Sequence, residues 1–207
     1  MPVVDVPIAL GAVLAALAVR PWRALPAGGP PWFWLAWWVL LPLMWSADRL
    51  SAAPLTPALP GSVLLMLMAG WPLAVLALVP VAAVAALLGG LDAAEALHRL
   101  AWLGIVPATL ALALGALVRR ALPNHLFVYI LGRGFFAAAI ANTLAGLGAV
   151  ALHGAPAGTS TADLMLARGF AAWGDAIVCG MLVAIFVAFR PHWLATYSDR
   201  IYLPTGD

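Results

Sequence analysis

The sequence predicts an all-α fold, a polytopic membrane bundle of about seven transmembrane helices in a single domain over residues 1–207. Two compositional observations predict it: 65% of the residues are hydrophobic and only 9% are charged, with a mean hydropathy of +1.05. Soluble domains carry about 25% charged residues. A folded chain of ~200 residues still exposes roughly a quarter to a third of the surface its unfolded form exposes, and only lipid can solvate that surface when it is this apolar. The third observation is the pattern. The apolar residues form continuous runs, whereas a transmembrane β-barrel would alternate them. A spanning helix needs roughly 20 apolar residues, so the length admits about six to eight spans.

The first predicted span covers about residues 3–19. Its apolar run could pass for a signal peptide, but it ends in Arg20-Pro21-Trp22-Arg23 and reads as a retained helix. The second, about 31–46, carries Trp32, Trp34, Trp37, Trp38 and Trp45; indoles favour the headgroup boundary, so some of these are expected to anchor the interface. A loop with Asp48, Arg49, Pro54 and Pro57 follows. The run 58–89 is too long for one straight span. Gly70-Trp71-Pro72 divides it into about 58–69 and 71–88, because Pro lacks an N–H and disfavours helix in the preceding residue. Asp92, Glu95, His98 and Arg99 mark a loop or helix start. The remaining spans are about 100–118, 126–151 and 164–189. The polar tail 190–207 bears Trp193, Tyr197 and Tyr202 as expected interfacial aromatics.

Seven spans place Arg20, Arg23, Arg119, Arg120, Arg190 and Arg200 on one side, and Arg49, Arg99 and Arg168 on the other, near Asp48, Asp92, Glu95 and Asp163. The positive-inside rule puts the Arg-rich side in the cytoplasm. The N-terminus is then outside and the C-terminus cytoplasmic. All ten basic residues are Arg, and Ala, Leu, Gly and Pro dominate. That bias fits a GC-rich bacterial genome and an inner (cytoplasmic) membrane. No basic patch for nucleic acid is present.

Asp175, Asn142, Arg133, Arg168 and Cys179 are the polar residues inside spans that stand as site candidates. Charges there are costly and usually face the bundle interior. Asp175 sits about 20 Å above the cytoplasmic end of the last span. Cys179 lies one turn along the same face and Arg168 two turns back. Asp175 is read either as a substrate or ion contact or as a structural hydrogen-bond node; the structural role is preferred. Asn142 falls at a comparable depth, so an Asn142–Asp175 bond is geometrically feasible. Arg133 lines up with Tyr129 and His125 at i, i+4, i+8 spacing. It can snorkel to the cytoplasmic interface, or reach Asp175 only across about 10 Å of axial offset.

His98, His125, His153 and His192 share no i, i+3 or i, i+4 spacing, so there is no local metal motif. Met44, Met66 and Met68 read as packing more readily than as a thioether copper site. The single Cys excludes an internal disulfide. No Ser-His-Asp set, Walker motif, haem motif or paired catalytic carboxylates occur. No enzymatic activity, cofactor or metal ligand is therefore assigned.

Over about residues 55–203 the chain resembles the CbiM-like membrane proteins, substrate-specific and permease components of energy-coupling factor transporters for cobalt and nickel. Pro123-Asn124-His125-Leu126-Phe127-Val128-Tyr129-Ile130 is similar to a family stretch PNHFFVYI. Arg190-Pro191-His192-Trp193-Leu194-Ala195-Thr196-Tyr197, with Ser198-Asp199-Arg200-Ile201-Tyr202-Leu203, is similar to its RPxWVATFDDRRYL ending. Gly174-Asp175-Ala176-Ile177-Val178-Cys179-Gly180-Met181-Leu182 is similar to PEAFLNGML, with Asp for Glu and Cys for Asn. The resemblance implies about seven helices with the N-terminus outside.

The chain also departs from the family. Metal-binding members begin Met-His-Ile, where the terminal amine and the His supply ligands; here the start is Met1-Pro2-Val3. A second family His falls at Ala58. The resemblance thus implies a kept scaffold with its nickel and cobalt ligands lost. The expected function is an energy-coupling factor transporter component of unassigned substrate. Its partners would be the lipid bilayer, other integral membrane subunits and ATPase subunits, since the chain has no Walker motif of its own. The alternative is a non-transporting accessory or assembly subunit docked on a larger bacterial membrane complex.

Overall fold

The structure, a computed structural model, describes residues 3–24, 30–51, 57–155 and 159–202. Among these every regular element is helical. In chain order they are α1 (Asp5–Ala18), α2 (Trp32–Trp45), α3 (Ala47–Leu50), α4 (Ser62–Ala69), α5 (Trp71–Gly89), α6 (Ala93–Arg99), α7 (Val106–Ala121), α8 (Ala137–His153), α9 (Thr161–Phe189) and α10 (Asp199–Tyr202). Two wider π-helical stretches, Leu100–Ile105 and Val128–Phe136, continue into α7 and α8. Four continuous helices are long and apolar enough to cross a membrane: Trp71–Gly89, Ala93–Ala121, Val128–His153 and Thr161–Phe189. Their outer faces expose large apolar side chains such as Leu87, Leu117, Leu144, Leu166, Phe170 and Ile177. Soluble monomers rarely show so much contiguous apolar surface.

The sequence-predicted breaks recur with their physical causes visible. Gly70 takes φ +80° and parts α4 from α5, with Pro72 in the first turn of α5. Asp92 accepts from the Glu95 N–H and caps α6. The two N-terminal helices α1 and α2, at 14 residues each, rise only ~21 Å, short of the ~30 Å hydrocarbon core.

The expected third span, 58–69, is different in kind. Helix occupies only its last eight residues, α4, a rise of ~12 Å. Ser62 through Met68 are all buried. Helix α4 is thus a short rod enclosed by the bundle, and its lead-in 57–61 is irregular backbone. Backbone of that kind is tolerated at membrane depth only inside protein, where its polar groups find partners. Two tryptophans supply them: Trp37 Nε1–H donates to Gly61 O at 2.9 Å, and Trp45 Nε1–H to Pro60 O at 2.7 Å.

Most of the α2 tryptophans, some of which were expected at the interface, thus face the inside of the bundle. Trp34, Trp37 and Trp45 are buried, and Trp34 and Trp38 donate to Trp193 O and Ala77 O. Only Trp32 remains mostly exposed. The indole N–H usually finds a partner when buried; here Pro60 and Gly61 of the irregular lead-in, the turn at Trp193 and Ala77 within α5 supply the carbonyls.

The tail, whose aromatics were expected to face the interface, also packs against the bundle. Leu194, Tyr197 and Tyr202 are buried. The Ala195 and Thr196 N–H groups donate to Met68 O and Leu67 O at 2.9 and 3.3 Å. These are carbonyls that the end of α4 leaves without helical partners, so the tail docks on them as a C-terminal cap.

Candidate functional site

Asp175, on α9, sits at the break ahead of α4. Its Oδ1 accepts from the Gly61 N–H at 3.0 Å and its Oδ2 from Asn142 Nδ2 at 2.7 Å. All three groups are buried. Gly61 adopts φ +63°, the left-handed region where a side chain is strained, and it begins α4. The carboxylate therefore meets the positive end of a helix as well as two donors. Asn142 Oδ1 and the neighbouring Ser62 Oγ are buried without a partner among the described residues.

The other intramembrane candidates do not join this node by hydrogen bonds. Cys179 is buried nearby as a free thiol. Arg168 packs its methylenes on Gly146, and no hydrogen bond links it to Asp175. Arg133 turns the other way. Its Nη1 donates to Thr196 O at 3.2 Å and to the Tyr202 hydroxyl at 3.3 Å, and its guanidinium lies 5.3 Å from the Tyr129 ring centroid. Arg133 is buried, so it does not snorkel out to water as the sequence suggested. The folded tail covers it. Tyr129 OH lies 2.8 Å from Thr196 Oγ1, which itself donates to Leu67 O, so the phenol is the donor. Tail, α4 and Arg133 form one connected network.

Charged groups gather at the opposite end of the bundle. Arg99 makes a paired contact with Asp48 at 2.7 Å, reaches Glu95 at 2.8 Å and donates to Trp45 O. Arg49 bonds Glu95 at 2.7 Å, which raises the guanidinium's affinity for its proton above the ordinary value. These pairs tie α3 to α6.

Beside them is a group that no local spacing announced. Asp5, His98 and His153 converge from the first turn of α1, the end of α6 and the end of α8. One ligand atom from each lies within 4.8 Å of the others. Asp5 is 93 residues from His98, so helical spacing holds no trace of the cluster. The one available signal was the shared side to which the span count assigns all three. Of the family ligand positions, Met1 and Pro2 lie outside the described residues, and Ala58 is a half-buried residue of the lead-in to α4.

Compared with protein families, curated proteins and solved structures, the chain matches none.

Proposed function

We propose that the chain is an integral component of an energy-coupling factor type transporter in a bacterial cytoplasmic membrane. It crosses the bilayer seven times, with the Asp5 end outside and the Tyr202 end cytoplasmic. The observation that carries this reading is the broken crossing at 57–69. A buried half-length helix begins at an intramembrane carboxylate, with irregular backbone leading into it. Discontinuous helices whose termini meet polar groups near the midplane are the usual means by which transporters build a substrate path. Asn142 Oδ1 and Ser62 Oγ, without a partner among the described residues, add polar groups at that break. Motion would come from partner ATPase subunits docking at the Arg119, Arg120 and Arg190 end.

A second reading, an accessory subunit on a larger membrane complex, is favoured by one specific observation. Both oxygens of Asp175 are already taken by the chain's own donors. Gentle solubilisation of native membranes and purification of the chain with its partners separates the two. The transporter reading expects ATPase subunits at fixed stoichiometry. Stoichiometric recovery with a respiratory, photosynthetic or oxidase complex instead would replace it with the accessory reading.

A further inference from the structure

We infer that Asp5, His98 and His153 form a binding site for a divalent first-row transition-metal ion, zinc by preference. The inference concerns binding and stands apart from whether the chain transports.

The geometry of His153 carries the argument. Its Nδ1 lies 3.1 Å from Ala149 O. A carbonyl oxygen can only accept, so Nδ1 bears the hydrogen. In the neutral ring Nε2 then carries a lone pair. That Nε2 lies 3.1 Å from Asp5 Oδ1, which places lone pair against carboxylate oxygen. The contact is repulsive unless a cation lies between them. A hydrogen bond from the second ring nitrogen to a backbone carbonyl is also how proteins fix the tautomer of a metal-ligating His.

The remaining donors fit the same ion. His98 Nδ1 lies 3.3 Å from Asp5 Oδ2. Bonds of about 2.0–2.1 Å in tetrahedral array hold neighbouring ligand atoms about 3.4 Å apart, close to both observed separations. The His98 and His153 rings are 4.5 Å apart between centroids, and one ligand atom from each of the three residues lies within 4.8 Å of the others. Trp102 Nε1–H donates to Asp5 Oδ1 at 2.8 Å and orients the carboxylate, a supporting role that metal sites commonly require. Burial grades outward: the side chain of Asp5 is 3% exposed, that of His153 14% and that of His98 26%. An ion can therefore enter past His98. Two imidazoles and one carboxylate, which turns an oxygen toward each ring, suit zinc and its neighbours. Magnesium and calcium, which prefer all-oxygen shells, should be excluded.

The test is equilibrium dialysis of the full-length chain in detergent, free of any histidine tag, against Zn²⁺, read by elemental analysis. The expected result is one equivalent of zinc that is not displaced by excess Mg²⁺. Asp5→Asn and His153→Gln should each weaken it at least ~10-fold, while His125→Gln, at the other end of the bundle, should leave it unchanged. Circular dichroism and a monodisperse elution profile establish that each variant is folded. Should Asp5→Asn or His153→Gln fail to fold, the visible spectrum of the Co²⁺-loaded parent reads the ligands directly, since tetrahedral nitrogen and oxygen ligation absorbs far more strongly than octahedral aqua ion. Folded parent protein without stoichiometric zinc, or zinc retained in both folded variants, would overturn the inference and leave a proton as the cation between His153 and Asp5. None of these outcomes depends on which subunits co-purify, so this inference and the transporter reading fail separately.

Discussion

At the scale of single residues, the contrast between Asp175 and Asp5 is instructive. Asp175 was readable as a partner of Asn142 because both depths follow from the rise of a helix counted from the same membrane face. Its second partner, the Gly61 N–H, was not readable, because it lies on irregular backbone that has no periodicity to count. His98 and His153 were visible as titratable residues near helix ends, Asp5 was not singled out, and three helices must pack before the three meet. The arrangement around Asp175 yields a prediction. Asp175→Asn keeps hydrogen-bonding capacity and should retain the fold. Asp175→Leu strands the Gly61 N–H and the Asn142 amide, at about 1–3 kcal/mol for each buried partner left unmade. Thermal unfolding in detergent should show a clear fall for Leu and little for Asn. Equal stability of the two would remove the structural role of this carboxylate.

At the scale of elements, α4 organises the centre and the tail closes it. The start of α4 depends on Gly61, where a Cβ would lie 2.5 Å from Leu41 Cδ2 in addition to needing φ +63°. Gly61→Ala should therefore lower the unfolding temperature markedly. Gly174→Ala is the matched control: it lies within α9 with nothing inside 4 Å of the added carbon, and helix propensity alone should favour it by roughly 0.5–1 kcal/mol. If Gly61→Ala were as well tolerated as Gly174→Ala, α4 would not be locked at its start. The far end of α4 offers a cycle. Thr196→Val takes away the acceptor of the Tyr129 phenol and should cost about 1–3 kcal/mol, and adding Tyr129→Phe should return much of that by removing the stranded hydroxyl. Additive losses in the double variant would refute the coupling. The tail's docking escaped the sequence reading because a polar, aromatic-bearing C-terminus looks the same whether it lies at the interface or folds inward. What decides between them is the pair of free carbonyls at Leu67 and Met68, which exist only because α4 stops at Gly70.

At the scale of the whole molecule, the helix order was legible almost throughout. Apolar runs, Gly-Trp-Pro and the Asp92 cap fix where helices begin and end with little help from packing. The run 58–69 departed furthest, beside the short α3 and α10, which fall in stretches read as loop and tail. Its composition is as apolar as that of a spanning helix, yet the Pro57–Gly61 segment cannot be helical throughout, and the stretch divides into a loop and the short α4. Hydropathy reports the medium a segment lies in and is silent on whether that medium is lipid or other helices. The transporter reading therefore rests on a proposed topology of seven crossings, of which α1, α2 and α4 are helices shorter than the hydrocarbon core, with Asp5, His98 and His153 at the proposed outer end and Arg133, Thr196 and Tyr202 at the proposed cytoplasmic end. Reporter fusions test it most directly. Fusions after Arg120 and Arg200 should read cytoplasmic, and a fusion after Gly154 should read external. External readings after both Arg120 and Arg200, or a cytoplasmic reading after Gly154, would contradict it.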